Sequence, residues 1–480
     1  MQNEKEERFE DWKGREAIPG KHGGIGPASI ACVVENLVFV ANGFNFIEYF
    51  MSSMHYSPAT AANMVTNFMG TTFLLTLVVG FIADSFLTHF TTFIIFCCLE
   101  LMINYIQFDE TPSTLQATIL FTGLYAMAFG AGGIKASLPT HGGDQLDRRN
   151  PRLISRFFNW FYFSICCGCI LAVTIVVSIE ESKGWFWSFT TSVGILALAL
   201  FIFMAGLPDC LRSRNRNKSD LEEEMMQSLI STDEGISHTK LKCLDKTMLN
   251  KNISATEVAE TRTFLGLLPI FFSTIAMNCC LAQLSTFSVQ QGMIMNRKLF
   301  CSFEIPVTSL AAITLILMVL SIPLYDYFGK RISSDISPSF NLKRIGLGLA
   351  LSSLSMVIAA IVETMRKYEA VHNDFNISVL WLMCQYLMLT VADTLAFGGM
   401  LDFFYREAPS NMKSMSTALG WCSTAFGFFL STALVEVTNT ITGWLGGDDL
   451  NETRLELFYV VLFVLNTLNL LSYIFWTKTY

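Results

Sequence analysis

The 480-residue chain is 52% hydrophobic and 13% aromatic but only 15% charged, with a mean hydropathy of +0.45. A soluble globular chain carries roughly 25% charged residues, so this one lacks the polar surface that water solubility requires, and soluble or nucleic-acid-binding classes are set aside. The net charge of −8 says little, because orientation in a membrane follows the placement of Lys and Arg.

The chain opens with MQNEKEERFEDWKGREAIPGKHGG, which is too polar for a cleaved signal peptide of the usual form. Apolar stretches of the length a bilayer core demands, about 20 residues, then follow near 29–53, 60–83, 89–107, 116–140, 155–179, 185–206, 263–292, 305–328, 345–363, 378–404, 413–440 and 457–477. The third is short and carries Glu100. This pattern predicts an all-α membrane protein with twelve transmembrane helices. It divides into a cytosolic segment (1–28), an N-terminal six-helix bundle (29–206), a cytosolic linker (207–262) and a C-terminal six-helix bundle (263–480). The linker opens with LRSRNRNKSDLEEEMMQSLI, which reads either as an amphipathic helix on the membrane surface or as a solvated loop.

An even helix number puts both termini on one side. With that side cytosolic, the inner segments hold most of the 32 Lys and Arg, including Arg148, Arg149, Arg152 and Arg156 after helix 4 and Lys330, Arg331, Lys343 and Arg344 after helix 8. Sequons at Asn376 and Asn451 then face outward, where glycosylation is allowed, and those at Asn217 and Asn252 face inward, where they are silent. The 13 cysteines, among them Cys97–Cys98, Cys166–Cys167 and Cys279–Cys280, sit mostly in apolar runs and read as packing residues rather than bridges or metal ligands. No His-rich metal set, nucleophile elbow or phosphate loop is present, which predicts no enzyme, no metal and no cofactor.

Charges at bilayer depth cost about 2.5–3.5 kcal/mol each on insertion scales, so each is a functional candidate. The deep ones are Glu35 in helix 1, Lys135 in helix 4 and Asp393 in helix 10; Glu48, Glu100, Asp402 and Glu436 lie nearer helix ends. Glu35 lies roughly 10 Å inside the membrane at 1.5 Å per residue, and Lys135 on the returning helix 4 reaches the same depth. Lys135 is read as the one basic residue within a span, and a buried ammonium calls for a carboxylate partner. The pair is either a structural lock or a coupling pair that breaks when substrate or a proton arrives. Asp393 stands above Gly398 and Gly399 and reads as a titrating or substrate-binding group, or as a structural one. Asp402 reads as a gating residue or helix cap. Helix 7 carries a polar stripe, Gln283, Ser285, Thr286, Ser288 and Gln290, which suits a water-lined cavity or interhelical hydrogen bonds.

Several stretches resemble the plant nitrate/peptide transporter family, the plant arm of the proton-coupled oligopeptide transporters in the major facilitator superfamily. They are GFIADSFLTHF (80–90), GGIKASLPTHGGDQLD (132–147), FFNWFYFSICCGCI (157–170), AQLSTFSVQQG (282–292), FEIPVTSLAAI (303–313) and LDFFYREAP (401–409). HGG (22–24), TNFMG (66–70) and NCCLAQLSTFSVQQ are most similar to the branch whose members carry abscisic acid, nitrate and gibberellin.

The resemblance implies a major facilitator fold working by alternating access, and it implies motif and gating roles for Asp84 and Asp144. It matches Lys135 to the family's helix-4 lysine and Glu35 to the second acid of its helix-1 Glu-x-x-Glu-Arg motif, which here reads CVVEN, with Cys32 and Asn36 replacing two charges. Asp393 stands where many relatives have glutamate, and Leu281 stands where a nitrate-carrying relative has histidine. The function so implied is secondary transport of a small organic anion, abscisic acid first, then gibberellin and nitrate, with protons as the candidate coupling ion, across the plasma membrane. Asn36, Gln283, Ser285, Thr286 and Leu281 are the candidate cavity residues. A hormone sensor that binds without transporting is the alternative class.

Overall fold

A computed structural model describes residues 25–52, 58–87, 89–104, 114–146, 150–205, 255–298, 309–332, 338–409, 411–445, 450–451 and 453–479, with strand fragments at 9–10, 16–17 and 212–213. Apolar composition without an internal partner for the backbone leaves helices as the structure that satisfies every N–H and C=O in lipid. The first half supplies α1 (Ile25–Ser52), α2 (Pro58–Ser85), α3 (His89–Asn104) and α4 (Thr114–Asp144). It continues with α5 (Pro151–Leu171), a π segment (Ala172–Val176), α6 (Val177–Lys183) and α7 (Trp185–Ala205). The second half supplies α8 (Ala255–Ser285), α9 (Phe287–Ile294), α10 (Ser309–Ile332) and α11 (Pro338–His372). After a 3-10 turn (Val379–Trp381) come α12 (Leu382–Glu407), α13 (Lys413–Thr442) and α14 (Leu455–Thr479).

Among the described residues, counting α5 with its π segment and α6 as one rod, and α8 with α9 as another, gives six rods on each side of the linker. Eight helices among the described residues are long and apolar enough to cross a membrane, and shorter apolar stretches lie in α1, α3 and α10. Their outward faces are apolar where lipid belongs, for example Leu468, Leu471 and Phe475 on α14. Local sequence sets several ends. Asn150 caps α5 by accepting from the Leu153 amide with Pro151 in the first turn, and Gly443 ends α13 at φ +65, a left-handed conformation that suits glycine.

The two halves repeat one neighbour pattern. In the first, α1 packs on α5 and α7, and α3 on α4; in the second, α8 packs on α13 and α14, and α11 on α12. Small residues permit the closest approaches: a Cβ added at Gly168 of α5 would lie 2.2 Å from the Val33 carbonyl of α1. The bundles meet through α2–α13, α4–α13, α5–α10 and α5–α12. Three two-residue strands, β1 (Phe9–Glu10), β2 (Glu16–Ala17) and β3 (Arg212–Ser213), pair antiparallel in the order β2-β1-β3, so the N-terminal segment meets the start of the linker. The amphipathic helix considered for the rest of the linker lies outside the described residues.

The helix-9 reading needs correction. Hydropathy places it at 345–363, with Lys343 and Arg344 in the preceding inner loop, but α11 runs Pro338–His372. Arg344 is 5% exposed and Arg366 3%, so Lys135 is not the one basic residue inside a helical span. Hydropathy cut the helix short because it scores each charge as solvated, whereas the packed bundle pairs Arg366 with Glu363 and gives Arg344 a backbone carbonyl.

Candidate functional site

The inferred pair between helices 1 and 4 is present. Lys135 Nζ lies 2.9 Å from Oε1 and 3.1 Å from Oε2 of Glu35, and it donates to Asn36 Oδ1 at 3.0 Å. Glu35 is 2% exposed, Asn36 4% and Lys135 3%, so the charges see little screening. Aromatic rings complete the cage. The ammonium sits 4.2 Å from the Phe39 centroid and 4.9 Å from that of Trp421, within cation–π range. Trp421 comes from α13 of the opposite bundle, stacked on Phe73 at 5.4 Å and edge-on to Phe397 at 5.3 Å. Its buried indole N–H has no acceptor among the described residues.

The altered helix-1 motif is internally consistent. Asn36 Nδ2 donates to the Cys32 carbonyl at 2.9 Å and lies 3.7 Å from its sulfur, while Cys32 is fully buried. Replacing an acid and a base one turn apart by Cys32 and Asn36 removes one charge of each sign. Glu35 and Lys135 are left balanced one to one.

Asp393 does not join this pair. It accepts a short hydrogen bond from the Tyr162 hydroxyl of α5, across the boundary between bundles. One residue further along α12, Arg344 of α11 donates Nη2 to the Thr394 carbonyl at 3.0 Å and lies over the Tyr325 ring at 4.3 Å. Among the described residues its Nε and Nη1 have no hydrogen-bond partner, nor does Oδ1 of Asp402, whose other oxygen accepts from Asn341 at 2.7 Å. Asp402 is fully buried and caps no helix.

A second set of polar groups ties the bundles at the end where α2 and α4 finish and α13 begins. Asp84 accepts from the Ser414 and Met415 amides at 3.0 and 2.9 Å, at the positive end of the α13 dipole. His89 lies between Asp84 (3.3 Å) and Asp144 (3.0 Å), and Asp144 also takes Tyr405 at 2.8 Å and Lys413 at 3.1 Å. Thr140 and Ser414 share a hydrogen bond at 3.2 Å, and Arg156 lies 3.9 Å from Asp326.

The helix-7 stripe divides. Gln283 is buried and donates to Ser431 at 2.9 Å, and Ser288 accepts from Gln385 at 2.9 Å, so both bond neighbouring helices. Leu281 is partly buried against the apolar core. The rod breaks at Thr286, and Thr286 and Gln290 line a cavity of about 730 Å³ together with Phe287, Thr432, Glu436 and Asn439. The side chains of Ser285, Glu48 and Glu100 lie outside the described residues.

Sequence reasoning missed Trp421, Tyr162, Arg344 and a buried ion pair between Glu363 and Arg366, held at 2.7 Å and joined by Gln291 at 2.6 Å. Only the last had a signal, an acid and a base at i,i+3 on one helix face. No group of His, Cys, Asp or Glu suited to a metal occurs among the described residues.

Residues 101–450 match the PTR2 family, described as the POT family. Among curated proteins the chain is 70% identical to Protein NRT1/PTR FAMILY 4.2 and 59% identical to Protein NRT1/PTR FAMILY 4.1 of Arabidopsis thaliana, each covering 100% of both chains. The first alignment spans 521 positions, more than the chain contains, so the chain is shortened internally relative to that protein. Among solved structures it superposes on an auto-inhibited POT family peptide transporter with TM-score 0.66 and 18% identity, covering 95% and 97% of the two chains. It also superposes on a POT family transporter in complex with 5-aminolevulinic acid, with TM-score 0.65 and 14% identity over 95% and 96%. These are membrane transporters, not enzymes. On the profile match, the full-length identities and the shared two-bundle fold, the chain belongs to the POT family, within its plant NRT1/PTR group.

Proposed function

We propose that the protein moves a small organic anion with an apolar body by alternating access, with Lys135 as the anion's docking cation and Glu35 as the group that exchanges Lys135 for a proton. The observation that carries this reading is the cage itself, a buried ammonium held by one carboxylate and walled by Phe39 and Trp421. An incoming carboxylate replaces Glu35 on Lys135 while its hydrocarbon part lies against the rings. The displaced Glu35 then needs a proton in place of the lost cation, which couples substrate to proton. One solved relative holds 5-aminolevulinic acid, itself a small carboxylate. Abscisic acid is the first candidate, gibberellin the second and nitrate the third, because an aromatic wall favours a carboxylate with apolar surface over a bare inorganic anion. Asp393, bonded to Tyr162 across the bundle boundary, reports on the separation of the halves. The plasma membrane, with both termini cytosolic, is the proposed location.

The test is uptake of labelled abscisic acid in oocytes at pH 5.5 and 7.5, beside gibberellin and nitrate, with surface protein measured in each assay. Saturable uptake is expected to fall to background in Lys135→Ala and to lose its acid stimulation in Glu35→Gln. Wild-type rates in Lys135→Ala would remove the docking role. Saturable binding without accumulation would favour a sensor.

A further inference from the structure

We infer that Asn376 is the N-glycosylated residue of this protein and that the neighbouring sequon at Asn451 carries no glycan. An N-linked sugar requires Asn-x-Ser/Thr on the extracytoplasmic side with the asparagine accessible. The chain has four such triplets, Asn217-Lys-Ser, Asn252-Ile-Ser, Asn376-Ile-Ser and Asn451-Glu-Thr. Asn376 and Asn451 lie at the end of the second bundle opposite the Asp84–Asp144–Lys413 ties, because both belong to connections leaving the far ends of α11 and α13.

Their settings differ. Asn376 is exposed in the short connection between α11 and α12, just after Asp374 turns the backbone at φ 50. The connection is pinned immediately after it. The Asn296 amide donates to the Ile377 carbonyl at 2.9 Å, the Val379 amide donates to the Asn296 carbonyl at 2.9 Å, and Ile377 is buried. Asn376 is therefore held on a fixed stem with its side chain outward, and a sugar on Nδ2 breaks no hydrogen bond among the described residues.

Asn451 is part of an ion-pair network. Its Oδ1 accepts from Arg366 Nη1 at 2.7 Å, and that guanidinium clamps both oxygens of Glu363 at 2.8 and 2.7 Å. Thr453, the residue that completes the sequon, is 5% exposed, and its hydroxyl donates to the Leu450 carbonyl at 2.8 Å. Lys367 anchors the same residue through its carbonyl at 2.6 Å. A glycan here would have to grow from an amide whose oxygen is held by a buried guanidinium, beside a threonine that is itself buried and bonded.

The inference rests on the proposed orientation, and the four sequons separate the two. The full chain is expressed in microsome-bearing cells as wild type and as Asn376→Gln, Asn451→Gln and the double Asn217→Gln/Asn252→Gln variant. Gel mobility is read with and without an N-glycosidase. The expected result is one glycosidase-sensitive shift, lost in Asn376→Gln alone and kept in Ser378→Thr, which preserves the sequon and the cap on Leu380. A shift lost in Asn451→Gln, or two shifts in the wild type, would overturn the assignment at the far end. A shift lost only in the linker double variant would overturn the orientation instead. An unshifted wild type, with the chain shown to be membrane-inserted, would overturn the assignment outright.

Discussion

At the residue scale, the Glu35–Lys135 pair is a buried ion pair, and such pairs are asymmetric under mutation. Removing one partner leaves the other charge uncompensated and costs about 3–5 kcal/mol, whereas removing both is often close to neutral. Lys135→Gln is therefore expected to melt well below the wild type in detergent, and the double variant Glu35→Gln/Lys135→Gln to recover most of that loss while transporting nothing. Thermal unfolding of the solubilised protein checks this, and a double variant as unstable as the single one would mean that Asn36 and the rings, not the charges, hold the site. Tyr162→Phe removes a donor from buried Asp393, which accepts no other hydrogen bond among the described residues. A hydrogen bond to a charged group contributes about 1.5–3 kcal/mol, so this variant should lower the melting temperature and slow uptake. Unchanged values in both assays would deny the contact any role. The pair of helices 1 and 4 was legible from depth arithmetic alone because one lysine and one glutamate stood at equal distance from a helix end. Trp421 and Tyr162 were not, since an aromatic in an apolar helix looks the same whether it faces lipid, a neighbouring helix or a cavity.

At the element scale, hydropathy found the twelve rods but misjudged their internal character. The helix-7 segment contains a break at Thr286, and the helix-5 segment contains the π stretch Ala172–Val176. Neither feature has a compositional mark, because both are set by how neighbouring rods pack. Gly168 shows the reverse case, a residue whose role is a missing atom. Its neighbour across the interface is backbone, the Val33 carbonyl, so no side chain can rotate away. Overpacking of this kind costs typically 1–3 kcal/mol. Gly168→Leu is thus expected to separate α1 from α5 and cut the folded, surface-resident fraction, as measured by size-exclusion profile and surface labelling. A monodisperse, fully expressed variant would show that the rods can shift apart without loss.

At the scale of the whole molecule, the polar ties between bundles gather at one end, around Asp84, His89, Asp144 and Lys413. Asp84→Asn weakens the hold on the α13 N-terminus, where a carboxylate next to the helix dipole contributes about 0.3–2 kcal/mol. Because a two-state carrier balances on differences of a few kcal/mol, the variant should spend more time parted along the α2–α13 seam. Cys422, 1% exposed and hydrogen-bonded to the Phe73 carbonyl of α2, is the natural reporter. Its alkylation rate, mapped by mass spectrometry, is expected to rise in Asp84→Asn, and an unchanged rate would place the seam's strength elsewhere. The resemblance marks Asp84 and Asp144 as motif residues; what they touch in the other bundle was out of sequence's reach, since those partners lie 261 to 331 positions away.

The Asp84 contact also bears on how such a seam drifts over generations. Its acceptor reads two main-chain amides, so the side chain at position 415 is not part of the bargain between the halves. Met415 can therefore change side chain without breaking this hydrogen bond. Proline is the exception, because it alone lacks the hydrogen that Asp84 holds. A conserved acid facing a variable partner is then the trace that a backbone latch leaves, visible from one side only.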